Sequence, residues 1–67
     1  MAKIILNGKE KDVSPAVNLQ RLISELCKDP SHVIVELNGT VLKTPQWTGT
    51  IIKDGDRLEL VNFVGGG

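Results

Sequence analysis

The sequence predicts an α+β domain in which one helix packs on one face of a mixed sheet of four to five strands. Short β-branched runs are joined by Asn-Gly turns at Asn7-Gly8 and Asn38-Gly39, which is a strong hairpin signal. Between these turns, a single apolar stripe repeats at helical spacing. A chain of 67 residues has room for one small core, so we expect a single domain over residues 1–67.

The N-terminal segment predicts an edge hairpin. The apolar run Ile4-Ile5-Leu6 leads into Asn7-Gly8, and a type I′ turn needs positive φ at both of its central residues. The returning segment, residues 9–13, is mostly polar and contains two lysines. Lysines discourage further strand pairing, so we place this strand at an edge of the sheet.

The only long helical pattern begins at Asn18, whose side chain is well suited to cap the first turn. We expect about three turns, ending at Asp29-Pro30, because a proline disfavours helical geometry in the residue before it. The side chains of the predicted core-facing stripe are Leu19, Leu22, Ile23 and Leu26.

The second half predicts two further strands and an irregular segment. Residues 33–37 form a strand that turns at Asn38-Gly39 into a short strand at residues 40–42. Residues 43–52 are predicted to be irregular. We expect Trp47 within this segment to cover one end of the core.

A last strand is predicted at residues 57–61, after a turn at Asp54-Gly55. Leu58 and Leu60 alternate with charged residues, so the two leucines are expected to face the helix. Continuing the same period would place the next apolar side chains on the opposite face.

This change of face suggests an outward apolar patch beside the end of the last strand. Its expected members are Ile5, Ile34, Val61 and Phe63. Two alternatives stay open at this point. One is that these residues are scattered exposed apolar side chains, which are ordinary. The other is that a bulge after Val61 turns Phe63 back to the core.

The sequence finishes on Gly65-Gly66-Gly67. Glycine loses more backbone freedom on ordering than any other residue, and these glycines have no side chains with which to offset that cost. We therefore expect a flexible arm that reaches about 10 Å. A narrow arm of this kind suits one task, which is to carry a terminal carboxylate into the active site of another protein.

Composition argues against several other functions. Eight basic and eight acidic residues balance, which disfavours nucleic-acid binding, and no apolar run approaches the length of a membrane span. One cysteine and one histidine, Cys27 and His32, make neither a zinc site nor a catalytic pair, and Asp54 and Asp56 fit a turn better than a calcium loop. We expect a cytoplasmic carrier that is monomeric when free, with no enzyme activity, metal or bound cofactor.

Residues 53–67, KDGDRLELVNFVGGG, resemble the C-terminal signature of the ThiS family, the bacterial sulfur carriers of thiamine biosynthesis. Asn38-Gly39 followed by Trp47 matches the middle of that family, and Asn7-Gly8 with the leucine-rich helix fits its first half. The resemblance implies a β-grasp, ubiquitin-like fold with the last strand in the centre of the sheet.

The resemblance also implies a chemistry and a set of partners. A ThiF-like adenylating enzyme would use ATP and magnesium to adenylate Gly67, and a sulfur-donor enzyme would then supply the sulfur of a thiocarboxylate. A ThiG-like thiazole synthase would consume that sulfur. Gly65 and Gly66 would form the arm, and the docking residues would be Phe63, Val64, Val61 and Ile5.

One departure from the family pattern keeps alternative partners open. Many members of the family have Pro-Arg before the tryptophan segment, where this chain has Lys43-Thr44. The alternatives are a carrier for molybdopterin, a thionucleoside or another sulfur metabolite, and a ubiquitin-like modifier that forms amide bonds to lysines. A plain interaction domain is the remaining class.

Overall fold

The five strands and the long helix follow one another along the chain in the predicted order, with two short helices in addition. The computed structural model describes residues 1–61, so the predictions made for residues 62–67 lie outside the described part of the chain. The elements are β1 (Ala2–Leu6), β2 (Lys9–Val13), α1 (Leu19–Leu26), a 3₁₀ helix (Pro30–His32), β3 (Ile34–Leu37), β4 (Thr40–Leu42), α2 (Thr44–Trp47) and β5 (Arg57–Val61).

The strands form one mixed sheet in the order β2-β1-β5-β3-β4. β1 and β5 are parallel, and the other neighbouring pairs are antiparallel. The last strand therefore lies in the centre of the sheet, and the polar strand β2 lies at an edge, as the sequence predicts. The number of strands in the described residues is five, the upper value of the prediction.

Both Asn-Gly turns have the predicted left-handed backbone. φ is 47° at Asn7 and 84° at Gly8, and it is 52° at Asn38 and 87° at Gly39. Asparagine is among the few residues other than glycine that adopt this region readily, because its short polar side chain can make local hydrogen bonds. These two turns connect β1 to β2 and β3 to β4.

Helix α1 begins as predicted but ends earlier than predicted. Asn18 Oδ1 accepts hydrogen bonds from the backbone N–H groups of Gln20 (2.9 Å) and Arg21 (3.3 Å). The helix has eight residues rather than about three turns, because Cys27 is extended (φ −108°, ψ 131°). Pro30 does not end α1; it begins the 3₁₀ helix, where its missing N–H costs nothing.

The core lies between α1 and the sheet. Three of the four predicted stripe residues of α1 are buried, and Leu26 packs against the core from its margin. The buried apolar residues are Ala2, Ile4, Val13, Leu19, Leu22, Ile23, Cys27, Val35, Trp47, Ile52, Leu58 and Leu60.

The segment predicted to be irregular contains the short helix α2. The Lys43 backbone N–H donates to Gln46 Oε1 (2.7 Å), and the Gln46 N–H donates to the Lys43 carbonyl (2.8 Å), which closes the first turn. Trp47 is 4% exposed, and its Nε1–H donates to the Leu42 carbonyl at 3.0 Å. The predicted role of Trp47 as a cover for the core is confirmed. Among residues 1–61, no helix has the length and apolarity that a membrane crossing requires.

Candidate functional site

Strand β5 ends at Val61, three residues short of the glycines in the sequence, and its two faces differ. Leu58 and Leu60 are buried under α1, as predicted. Because side chains alternate along a strand, Arg57, Glu59 and Val61 lie on the other side of the sheet. We call that side the open face, since the buried residues of α1 and α2 belong to the core cluster that contains Leu58 and Leu60.

An apolar row crosses the open face at the end of β5. Val61 and Ile34 are direct partners in the antiparallel register of β5 and β3, and they are 52% and 45% exposed. Val41 on β4, 55% exposed, lies diagonally from Ile34 on the same face. Val41 was not predicted from the sequence, although its alternation with Leu42, which packs against the core, places it on the opposite face.

Ile5 lies on the open face but not beside Val61. Its partner in the parallel register is Arg57, at the beginning of β5, and Ile5 is partly buried. Val61 lies four residues further along β5 than Arg57, at a distance of about 13 Å. The structure thus brings Ile34 and Val61 together and leaves Ile5 in a separate position on the same face.

Two carboxylates lie next to the apolar row. Glu36 on β3 and Glu59 on β5 are direct register partners, and both are partly buried. Val41 is the partner of Glu36 on its other side. Within residues 1–61, no lysine or arginine nitrogen comes within 4 Å of either carboxylate. These two glutamates were not predicted from the sequence as site residues.

The side of β5 toward β1 is held by a side chain. The Leu60 N–H donates to Asn7 Oδ1 at 2.7 Å, and Asn7 Nδ2 donates to the Leu60 carbonyl at 3.4 Å. The other turn asparagine, Asn38, holds the beginning of the strand. Its Oδ1 accepts from the Arg57 N–H at 2.9 Å, and its Nδ2 donates to Asp56 Oδ1 at 3.0 Å.

The two titratable residues noted in the sequence, Cys27 and His32, lie at the end of α1 and in the 3₁₀ helix that follows it. Cys27 is buried, and burial raises the pKa of its thiol. His32 is exposed, with Nδ1 3.4 Å from Asp29 Oδ2. Hydrogen bonds from Ser31, first from its hydroxyl and then from its backbone N–H, hold the pKa of the Asp29 carboxyl below its ordinary value.

The two aspartates beside Gly55 act as turn residues. The Lys3 N–H donates to Asp54 Oδ1 at 2.8 Å, and the Lys53 N–H donates to Asp56 Oδ2 at 2.7 Å. The described residues contain no cluster of histidine, cysteine, aspartate or glutamate that could hold a metal ion. The remaining predicted site residues, Phe63, Val64 and residues 65–67, lie outside residues 1–61.

In residues 1–61, the open face is a candidate surface for contact with another protein. The open face combines an exposed apolar row with a neighbouring pair of carboxylates. Interfaces commonly combine an apolar centre with a polar rim. The geometry therefore supports recognition of another protein at the end of β5.

Comparisons with known proteins match nearly the whole chain. The model of the ThiS family matches residues 4–67. The crystal structure of the thiamine biosynthesis protein ThiS from Geobacter metallireducens superposes with a TM-score of 0.83 at 38% identity, covering 97% of this chain and 99% of that one. This likeness confirms the predicted β-grasp fold.

Curated relatives include proteins of two lengths. A protein of Pyropia yezoensis named ycf40 is 36% identical over 64 residues, which cover 96% of this chain and 90% of that protein. A protein of Paramagnetospirillum magneticum named thiazole synthase is 35% identical over 65 residues. Those residues cover 97% of this chain but only 20% of that protein, so the chain spans about a fifth of its relative.

Proposed function

The chain belongs to the ThiS family, and on that premise we propose that it is a sulfur carrier of thiamine biosynthesis, working in the cytoplasm, with Gly67 as the carrying residue. The observation that supports this most strongly is the family match over residues 4–67, which includes the three terminal glycines. The chain itself is the substrate of its partner enzymes in this account, and it performs no catalysis.

The proposed reaction proceeds in two steps at the Gly67 carboxylate. In the first step a carboxylate oxygen attacks the α-phosphorus of ATP, with magnesium held by a ThiF-like enzyme, and pyrophosphate leaves. In the second step a sulfur nucleophile attacks the acyl carbon, and AMP leaves with the bonding electron pair. Hydrosulfide gives the thiocarboxylate directly, whereas a persulfide donor needs two electrons from a thiol to release it.

The proposed docking surface adjoins the tail. Val61 supplies an exposed apolar side chain at the end of β5, with Ile34 beside it. Phe63 and Val64 continue the apolar sequence toward the glycines, and Ile5 contributes from the other end of the open face. Apolar and aromatic anchors carry much of the binding energy of interfaces, so we place the contact with the adenylating enzyme here.

Thiazole synthase is the proposed acceptor of the sulfur. Relatives from Paramagnetospirillum magneticum and Magnetococcus marinus carry that name, and this chain matches about a fifth of the length of each. Their additional length is consistent with a carrier-like segment joined to a larger unit in one polypeptide. We infer that the separate chain meets a ThiG-like enzyme as an independent protein, after a sulfur-donor enzyme has acted.

The proposal is tested by measuring the pyrophosphate that a ThiF-like enzyme releases when it adenylates this chain in the presence of MgATP. Release of pyrophosphate should depend on this chain and stop when Gly66 and Gly67 are deleted. Val61→Ser should raise the KM for the carrier, whereas Ile51→Ser should not. Ile51 is 45% exposed, but it bridges to Asn18 at the beginning of α1 rather than lying on β5. Equal KM values for the two variants would reject the docking surface, and pyrophosphate release from the deleted chain would reject the carrier role.

A further inference from the structure

Strand β1 leaves the sheet before its central neighbour β5 ends. The parallel ladder between them contains the bonds from the Ile5 N–H to the Asp56 carbonyl and from the Asn7 N–H to the Leu58 carbonyl, both 2.9 Å long. The next rung would join the backbone of β1 to Leu60. At that point, however, the chain enters the left-handed Asn7-Gly8 turn.

The Asn7 side chain supplies the missing rung. Its Oδ1 accepts from the Leu60 N–H at 2.7 Å, and its Nδ2 donates to the Leu60 carbonyl at 3.4 Å. A side-chain amide carries both an acceptor and a donor, as a peptide group does. Asn7 therefore extends the β1–β5 ladder by one residue pair that the backbone cannot reach.

We propose that Asn7 is a positioning residue, which fixes the backbone at the end of β5 and thereby the point from which the tail extends. This inference rests on the proposed carrier function. Val61 pairs with Ile34 on the β3 side, so the strand end is held from both sides only while Asn7 bonds Leu60. Without the amide, the last rung on the β1 side is absent.

The expected consequence is a loss of turnover rather than of binding. The pairing of Val61 with Ile34 on the β3 side is retained in the variant. The KM for the carrier should therefore change little. The carboxylate, however, would occupy its reactive position in a smaller fraction of the complexes. Small displacements of a reacting group lower rates strongly, so kcat for adenylation should fall about tenfold.

The chain contains a matched control for this change. Asn38 occupies the same position of the other Asn-Gly turn, with φ of 52° against 47° at Asn7. Its amide also makes two hydrogen bonds, but these hold Arg57 and Asp56 at the beginning of β5. Glycine accepts a left-handed backbone, so Asn7→Gly and Asn38→Gly each remove an amide without straining the turn.

The experiment measures kcat and KM for adenylation of both variants by a ThiF-like enzyme, at a temperature where circular dichroism shows both to be folded. Amide hydrogen exchange at Leu60 is measured in parallel on the free protein. We expect Asn7→Gly to lower kcat about tenfold with KM changed less than about threefold. It should also speed exchange at Leu60, whereas Asn38→Gly should retain wild-type kcat and Leu60 exchange.

Three other outcomes would each overturn the inference. If both variants lose the same turnover, the effect is general destabilisation and Asn7 has no positioning role. Unchanged exchange at Leu60 in Asn7→Gly would mean that the amide does not hold the strand end. If the wild-type chain is itself not adenylated, the proposed function fails and this inference fails with it.

Discussion

Glu36 and Glu59 lie directly opposite each other on the open face, in the two adjacent strands β3 and β5. Like charges in this position destabilise a strand pair by about 0.2–1 kcal/mol. On the other side of the same strands, the facing pair Leu37 and Leu58 packs toward the core. The fold thus places two carboxylate side chains next to each other on the face that we propose for docking.

The first prediction concerns this repulsion. Glu36→Gln should raise the free energy of unfolding by about 0.2–1 kcal/mol at low salt, because it removes one of the two like charges. The gain should shrink in high salt, which screens exposed charges. Urea titration at two salt concentrations would measure both effects.

Glu10→Gln is the control for this prediction. Glu10 lies 3.8 Å from the Lys3 ammonium group, and an exposed ion pair contributes only about 0–1 kcal/mol. This substitution should leave the midpoint unchanged or lower it slightly. A lower midpoint for Glu36→Gln than for Glu10→Gln would show that Glu36 is not repelled by Glu59.

The second prediction concerns the apolar stripe of α1. Leu22 is 3% exposed, so Leu22→Ala should lower the free energy of unfolding by about 2–5 kcal/mol. That cost approaches the whole stability of a domain this small, about 3–5 kcal/mol. Gln20→Ala, on the exposed side of the same helix, is the control and should change the urea midpoint little. An unshifted midpoint for Leu22→Ala would contradict the packing of α1 on the sheet.

The third prediction concerns the beginning of α1. Asn18→Ala should cost about 0.5–2 kcal/mol, because it removes the acceptor for the Gln20 and Arg21 N–H groups. Asn18→Asp keeps that acceptor and replaces the 2.6 Å donation to the Thr48 carbonyl with an oxygen–oxygen contact, but its charge is favourable at the helix N-terminus. Thermal unfolding should therefore rank the three proteins as wild type, Asn18→Asp and Asn18→Ala, with the alanine variant least stable. The reverse order of the variants would show that the link to Thr48 matters more than the cap.

The fourth prediction concerns pH. Ser31 holds the pKa of the Asp29 carboxyl below its ordinary value, so the ionised carboxylate stabilises the folded state. This contribution is present above the ordinary aspartate pKa of about 3.9 and is lost as the pH falls through the lower folded-state value. An NMR titration should show the Asp29 pKa rising in Ser31→Ala by more than in His32→Ala. An Asp29 pKa that Ser31→Ala leaves unchanged would contradict the assigned cause.

The sequence was most informative where one residue has one local role. Asn7 and Asn38 predicted two left-handed turns, Asn18 predicted a helix cap, and alternation in residues 57–61 predicted which side chains are buried. These features depend on neighbours along the chain. The resemblance of residues 53–67 to a known signature then predicted the family and the central position of the last strand.

The features that the sequence did not predict all depend on contacts between segments that are distant along the chain. The early end of α1 follows from the extended backbone at Cys27, which is buried in the core. The distance between Ile5 and Val61 depends on the β1–β5 register, in which Ile5 faces Arg57. The spacing of residues within a single strand could not reveal the Glu36–Glu59 pair or the hydrogen bonds between Asn7 and Leu60.

The most direct test of the central claim is the intact mass of the chain after incubation with a ThiF-like enzyme, MgATP and sulfide. The account predicts a mass gain equal to the replacement of one oxygen by sulfur, located at Gly67 by fragmentation. A chain with one residue appended after Gly67 is the control and should show no gain at that glycine. An unchanged mass in the presence of an enzyme shown to be active, or lysine adducts carrying a Gly-Gly remnant instead, would contradict the sulfur-carrier account.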